Sequence, residues 1–214
     1  MKYIGIGLIF AIMILTSGCS TKEKGAIYNK PAIFWYQGIM KKIRDDDLEK
    51  ADDFYTSLSS EHVESPLLKT SMLILAQAHS NNEEYLLANF YYDEYIKRYG
   101  DNDNISYIKF LKIKTNFDAF AYPKRDQMLL NNTIKDASKY IENYPNSRYT
   151  PLVQTMLTKL SLAQKSMDIG IISLYKRMDK PKAAKIYEIK LKNSWYKNIP
   201  YIKPDTAWYR EIFE

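Results

Sequence analysis

The chain has 214 residues, 46% apolar and 26% charged, with a formal net charge of +6, 8 Pro, 7 Gly and a single Cys. That composition supports a buried core and excludes a disordered tail, and one cysteine excludes a disulfide-stapled miniprotein. Gly and Pro are too scarce to supply the turns of a sandwich or barrel, so an all-α protein is expected.

At the N-terminus, Lys2 gives a basic start and Ile4 to Leu15 an apolar stretch too short to span a bilayer. Thr16, Ser17 and Gly18 are small residues directly before Cys19, the only cysteine. Residues 1–18 therefore read as a signal peptide, and they resemble the signal of a bacterial lipoprotein. In that pattern the cysteine at the cleavage point is acylated on its thiol and, once exposed, on its amine, which makes Cys19 the lipidation candidate. Thr16 stands where the pattern usually has Leu. Ser20, which is not Asp, implies by the same resemblance the outer membrane. Residues 19–30 are polar and read as a lipidated tether.

Beyond the tether, apolar spacing predicts helices at 31–44, 47–59, 65–80, 83–99, 104–121, 126–143, 150–178, 181–196 and 205–212. Pro31, Pro66, Pro151 and Pro181 fit first helical positions, with Ser65 and Thr150 as capping hydroxyls, and Asp46 or Asp47 caps the second helix. Pro123 and Pro145 read as stops, and Pro200 and Pro204 lie in the tail. Leu68, Met72, Leu75, Ala76 and His79 share one helical stripe, which makes His79 a core histidine. Leu87, Tyr91, Tyr95 and Tyr99 share another.

Short paired helices call for a repeat search. Ala51 and Tyr55, Ala88 and Tyr92, and Ala183 and Tyr187 each resemble the second helix of a tetratricopeptide repeat. Gly38, Leu75 and Gly170 lie at the matching tight-packing position upstream, and Trp35 and Met72 at the large apolar one. A third, degenerate unit lies around Thr133 and Ala137, placed by Tyr144-Pro145 against Tyr99-Gly100. The expectation is an all-α tetratricopeptide-like superhelix of about four repeats over 31–198, followed by a tail at 199–214.

No Ser-His-Asp, G-x-x-x-x-G-K or H-E-x-x-H arrangement occurs, so neither an enzyme, a cofactor nor a metal site is expected. Arg44-Asp45-Asp46-Asp47 lacks the later Gly and Glu of a calcium loop. Lys and Arg are interspersed with Asp and Glu, which argues against nucleic acid as a partner. The aromatic runs Phe34-Trp35-Tyr36 and Phe90-Tyr91-Tyr92 cannot face inward throughout, because successive helical residues turn by about 100°. Tyr36 and Tyr91 are thus candidates for a groove wall, with His62 at a repeat end as a third. Arg177, Lys185 and Lys190 are candidates for docking a partner protein.

Two further motifs carry a family resemblance. Tyr144-Pro145-Asn146-Ser147-Arg148-Tyr149-Thr150 and Asn104-Ile105-Ser106-Tyr107 are similar to turns of BamD-type subunits of the outer-membrane β-barrel assembly (BAM) machinery. The lipidated start, the Ala51 and Ala88 helices and an insertion at 118–128 also match, so the resemblance runs from Cys19 to about Trp195. It implies a non-enzymatic scaffold, lipid-anchored in the outer membrane and facing the periplasm. Its C-terminal repeats would dock on the periplasmic domains of the barrel-forming, BamA-type subunit, and its N-terminal half would receive the aromatic C-terminal strand of unfolded barrel proteins. His62-Val63 replaces the Tyr-Pro that often closes the family's first repeat. The alternative is a repeat lipoprotein that binds peptidoglycan or cell-envelope enzymes.

Overall fold

The computed structural model describes residues 28–100, 104–120, 126–200 and 202. The chain divides into two units, Met1–Pro31 and Ala32–Glu214. The signal peptide, Cys19, most of the tether, the expected helix at 205–212 and Pro123 and Pro204 lie outside the described residues.

In the second unit, eight α-helices follow one another among the described residues: α1 Ala32–Arg44, α2 Leu48–Glu61, α3 Pro66–Asn81, α4 Tyr85–Tyr99, α5 Ile105–Ala119, α6 Gln127–Asn143, α7 Thr150–Arg177 and α8 Pro181–Asn193. A 3-10 turn, Trp195–Asn198, closes the series. They pack as the hairpins α1–α2, α3–α4, α5–α6 and α7–α8, each stacked on the next, and the leading helices α1 and α3, like α5 and α7, also touch. This is the tetratricopeptide-like repeat superhelix that the periodicity predicts.

The turns within three hairpins share one geometry. Asp46, Glu83 and Asp179 have φ of 58°, 61° and 52°. The amide of the next residue bonds the carbonyl five back in each: Asp47 to Lys42 at 2.9 Å, Glu84 to His79 at 2.8 Å and Lys180 to Tyr175 at 2.9 Å. Such a left-handed residue satisfies the orphan carbonyls of the preceding helix end. Between hairpins a second geometry recurs. Ser65 N–H donates to His62 O and Ser147 N–H to Tyr144 O, while each serine Oγ accepts, at 3.3 Å, the amide two residues on. Here the expectation for Thr150 is corrected. Its Oγ1 donates to Tyr144 O at 2.6 Å, and the N-cap position of α7 is Tyr149, which makes no side-chain capping bond.

Close helix approach occurs where small residues meet aromatics. Ala51, Ala88 and Ala137 are fully buried, and a β-carbon at Gly38 would overlap the Phe54 ring of α2. The fourth unit departs from the expected register. Gly170 has open space around it, and the buried small residue of α8 is Ala184, one position after Ala183. One residue is about 100° of helix rotation, enough to move the packing face. Three apolar clusters form the core. The first runs from Trp35 and Ile39 through Leu68, Met72 and Tyr92 to Ile108, the second joins Phe110, Ile113, Ala137, Tyr140 and Val153, and the third joins Leu130, Leu160 and Met167.

Candidate functional site

Along α3, between the leading helices, runs a groove. Its larger part encloses about 420 Å³ and is lined by Ile43 of α1, by Thr70, Leu73, Ile74, Gln77, Ala78 and Asn81 of α3, and by Tyr107 and Leu111 of α5. A second part of about 240 Å³ shares Ile43, Ala78 and Asn81 and adds Asp46, Leu48 and Asn82. The reason for the gap lies in side-chain size. Thr70, Ala78 and Asn81 are too short to bridge from α3 to its neighbours, while Leu73 and Ile74 lie off the core stripe of Leu68, Met72 and Leu75. The result is an apolar floor edged by side-chain amides, a surface suited to an extended chain with apolar side groups.

Beside the groove sits a buried polar cluster. His79, 1% exposed, lies between two carboxylates, with Nε2 3.0 Å from Asp52 Oδ1 and Nδ1 2.5 Å from Glu84 Oε2. Its ring stacks on Tyr91 at 5.6 Å, and the Tyr91 hydroxyl donates to Asp52 Oδ1 at 2.5 Å. Burial alone pulls the imidazole pKa down, but the hydrogen bonds to Asp52 and Glu84 outweigh it and the net shift is upward. Burial also raises the Tyr91 phenol, and the Asp52 carboxylate raises it further.

The expected site residues are scattered. Tyr36 on α1 and His62 at the end of α2 are half-buried and outside the groove lining. Tyr91 is 3% exposed, so its ring faces the core and not a groove wall. In the second aromatic run the outward residue is Phe90, at 52%. Arg177 and Lys185 are exposed at the far end of the array. Lys190 is engaged with the buried Asp168 at 2.9 Å and lies over the Tyr187 ring. Of the groove lining, Tyr107 belongs to the Asn104-Ile105-Ser106-Tyr107 motif, whereas Ile43, Leu73, Ala78 and Leu111 carry no sequence motif. The available signal was the second apolar edge of α3 at Leu73 and Ile74.

A family model described as YfiO, outer membrane lipoprotein, matches residues 29–197. The chain belongs to the YfiO family. Among its relatives is the outer membrane protein assembly factor BamD of Helicobacter pylori, 43% identical over 208 residues, covering 97% of this chain and 94% of that one. The BamD of Caulobacter vibrioides is 24% identical over 169 residues, covering 76% of this chain and 55% of its own length. The match to the YfiO model takes in the eight helices described above, the two serine turns between hairpins and the whole groove. Among the described residues no helix is long and apolar enough to cross a membrane, and no cluster of His, Cys, Asp and Glu could hold a metal ion.

Proposed function

We infer that this YfiO-family lipoprotein is a non-enzymatic scaffold of the outer-membrane β-barrel assembly machinery and assists the folding and insertion of outer-membrane proteins. The observation that carries this reading is the 43% identity to the Helicobacter pylori assembly factor, sustained over 97% of the chain. Depletion of the protein is expected to lower outer-membrane barrel proteins as a class, measured by quantitative proteomics of outer-membrane fractions. Unchanged barrel levels would overturn the reading.

Within that role, Cys19 carries the lipid that holds the scaffold on the periplasmic face of the outer membrane, so Cys19→Ala releases it from the membrane fraction. The groove along α3 receives the aromatic C-terminal strand of an unfolded barrel protein. A preformed groove holds an extended segment at little ordering cost, and Leu73, Ile74, Tyr107 and Leu111 supply the apolar contacts. The barrel-forming subunit docks through its periplasmic domains on the far end, where Arg177 and Lys185 are exposed. Affinity purification from cross-linked membranes is expected to recover that subunit, and Arg177→Glu with Lys185→Glu to weaken the recovery. The alternative of a peptidoglycan-binding lipoprotein has no observation in its favour among the described residues.

A further inference from the structure

His79 presents both ring nitrogens to carboxylates. Glu84 Oε2 lies 2.5 Å from Nδ1 and Asp52 Oδ1 lies 3.0 Å from Nε2. A neutral imidazole has one N–H, and it would turn a lone pair toward the second carboxylate. Only the imidazolium donates to both. The choice follows from geometry, whichever tautomer a neutral ring would take.

The three partners come from different elements. Asp52 stands on α2, His79 on α3 and Glu84 in the turn before α4, while Tyr91 on α4 covers the ring and bonds Asp52. Glu84 is itself held by Asn82 Nδ2 at 2.8 Å. One buried imidazole thus ties the first hairpin to the second through two partly exposed carboxylates, Asp52 at 28% and Glu84 at 39%.

The groove is built across that junction. Ile43, Asp46 and Leu48 form its wall from the first hairpin, and Ala78, Asn81 and Asn82, all within three residues of His79 in sequence, form the wall from the second. Any change in how far α2 stands from α3 changes the distance between these walls.

We propose that His79 is a positioning residue of the groove: held as an imidazolium between Asp52 and Glu84, it fixes the spacing of the first two hairpins and so the width of the channel that an extended peptide enters. The role assigned to the channel rests on the function proposed above. The linkage sign follows from the raised imidazole pKa. The contribution is complete below the ordinary histidine value of about 6.5 and is lost as pH rises through the folded value. The groups facing the ring are Asp52 from α2, Glu84 from the turn and Tyr91 from α4. The phenol stays protonated throughout that interval, since its own shift is upward.

The test uses the full chain, whose only other histidine, His62, is removed as His62→Gln to assign the spectra. Nitrogen-15 NMR is expected to show both His79 ring nitrogens protonated below a midpoint that lies above about 6.5 and that falls in Asp52→Asn and in Glu84→Gln. The probe for the groove is a synthetic octapeptide of alternating aromatic residues with a free C-terminal carboxylate. Its affinity should fall by about tenfold as pH rises past the His79 midpoint. His79→Gln, with helix content confirmed by circular dichroism, should show the weak value at every pH. A His79 midpoint at or below about 6.5, or one affinity profile shared by wild type and His79→Gln, overturns the proposal. Should the octapeptide bind neither protein at any pH, the peptide reading of the groove fails separately. The positioning claim is then decided by amide exchange at Ala78 and Asn81, and protection that stays constant through the midpoint overturns it.

Discussion

Asp168 is a carboxylate without solvent access, and three donors hold it: Tyr196 Oη at 2.7 Å, Lys190 Nζ at 2.9 Å and Gln164 Nε2 at 3.1 Å. A buried charge persists only when it is paired and fully hydrogen-bonded. Here the pairing has a consequence beyond its own site, because Tyr196 belongs to the 3-10 turn that follows α8. Lys165 on α7 completes the attachment by donating to the carbonyls of Lys197, at 2.8 Å, and Ile199, at 2.6 Å. This clamp holds the 3-10 turn, Trp195–Asn198, against α7. Asp168→Asn keeps the volume but removes the charge that Lys190 and Tyr196 recognise. It is expected to destabilise the protein by about 1.5–3 kcal/mol, measured by thermal unfolding, and to raise amide exchange between residues 195 and 199. A wild-type melting temperature with unchanged exchange there would show that the clamp does not depend on the charge.

The helices begin and end where elementary chemistry says they should. Asp47 Oδ1 accepts from Lys50 N–H, Asp126 Oδ1 from Leu129 N–H and Ser65 Oγ from Leu67 N–H, and Pro66, Pro151 and Pro181 occupy first-turn positions. Caps and prolines are local signals, so the helices and the hairpin pattern were legible in the sequence. The inward stripe of α3, Leu68, Met72, Leu75, Ala76 and His79, was legible too, but the inward faces of the aromatic run on α4 and of the fourth unit were not. Tyr91 and Phe90 are adjacent aromatics, and the partner that accepts the Tyr91 hydroxyl's hydrogen bond, Asp52, comes from 39 residues away. Gly170 fits the repeat spacing yet touches nothing, because α8 buries Ala184 in place of Ala183. The groove was hidden for a related reason, since a gap is defined by what neighbouring helices fail to fill. The left-handed turn positions are likewise silent in sequence, being occupied by Asp46, Glu83 and Asp179 and not by Gly. Glu83 gains nothing from its β-carbon at φ 61°, where a side chain is unfavourable by about 1–2 kcal/mol. Part of that is offset by the greater chain entropy glycine loses on folding, about 0.5–1 kcal/mol. Glu83→Gly should therefore stabilise the protein by roughly 0.5–1 kcal/mol, seen as a higher denaturation midpoint at unchanged slope. A lower midpoint would mean that Glu83 makes an interaction worth more than the strain.

Across the whole repeat unit, α5 is the hinge between cores. Ile108, fully buried, belongs to the cluster of the first two hairpins, whereas Phe110 and Ile113 belong to the next one. Leu111 borders both clusters and also lines the groove. Polar contacts reinforce the junction: Ser80 Oγ lies 3.2 Å from Thr115 Oγ1, Asn89 Nδ2 donates to Asn116 Oδ1 at 2.6 Å, and Lys112 pairs with Asp93. In a solenoid, stability is a sum of unit and neighbour-interface terms, so weakening one interface separates what lies on either side. Ile108→Ala deletes buried aliphatic atoms at that boundary and should destabilise by about 2–5 kcal/mol. The distribution of the loss is more telling than its size. Amides of α6 and α7 should keep near wild-type protection while those of α3 and α4 lose it, and a single denaturant transition should split into two. Residues in different clusters, such as Ile108 and Leu130, should then contribute additively, within about 0.5 kcal/mol, in the double variant Ile108→Ala with Leu130→Ala. One coincident transition for all helices in Ile108→Ala would mean that the cores are coupled through more than α5. It would also mean that the groove, with Ile43 on one core and Tyr107 on the helix shared by both, does not lie over a boundary that can move.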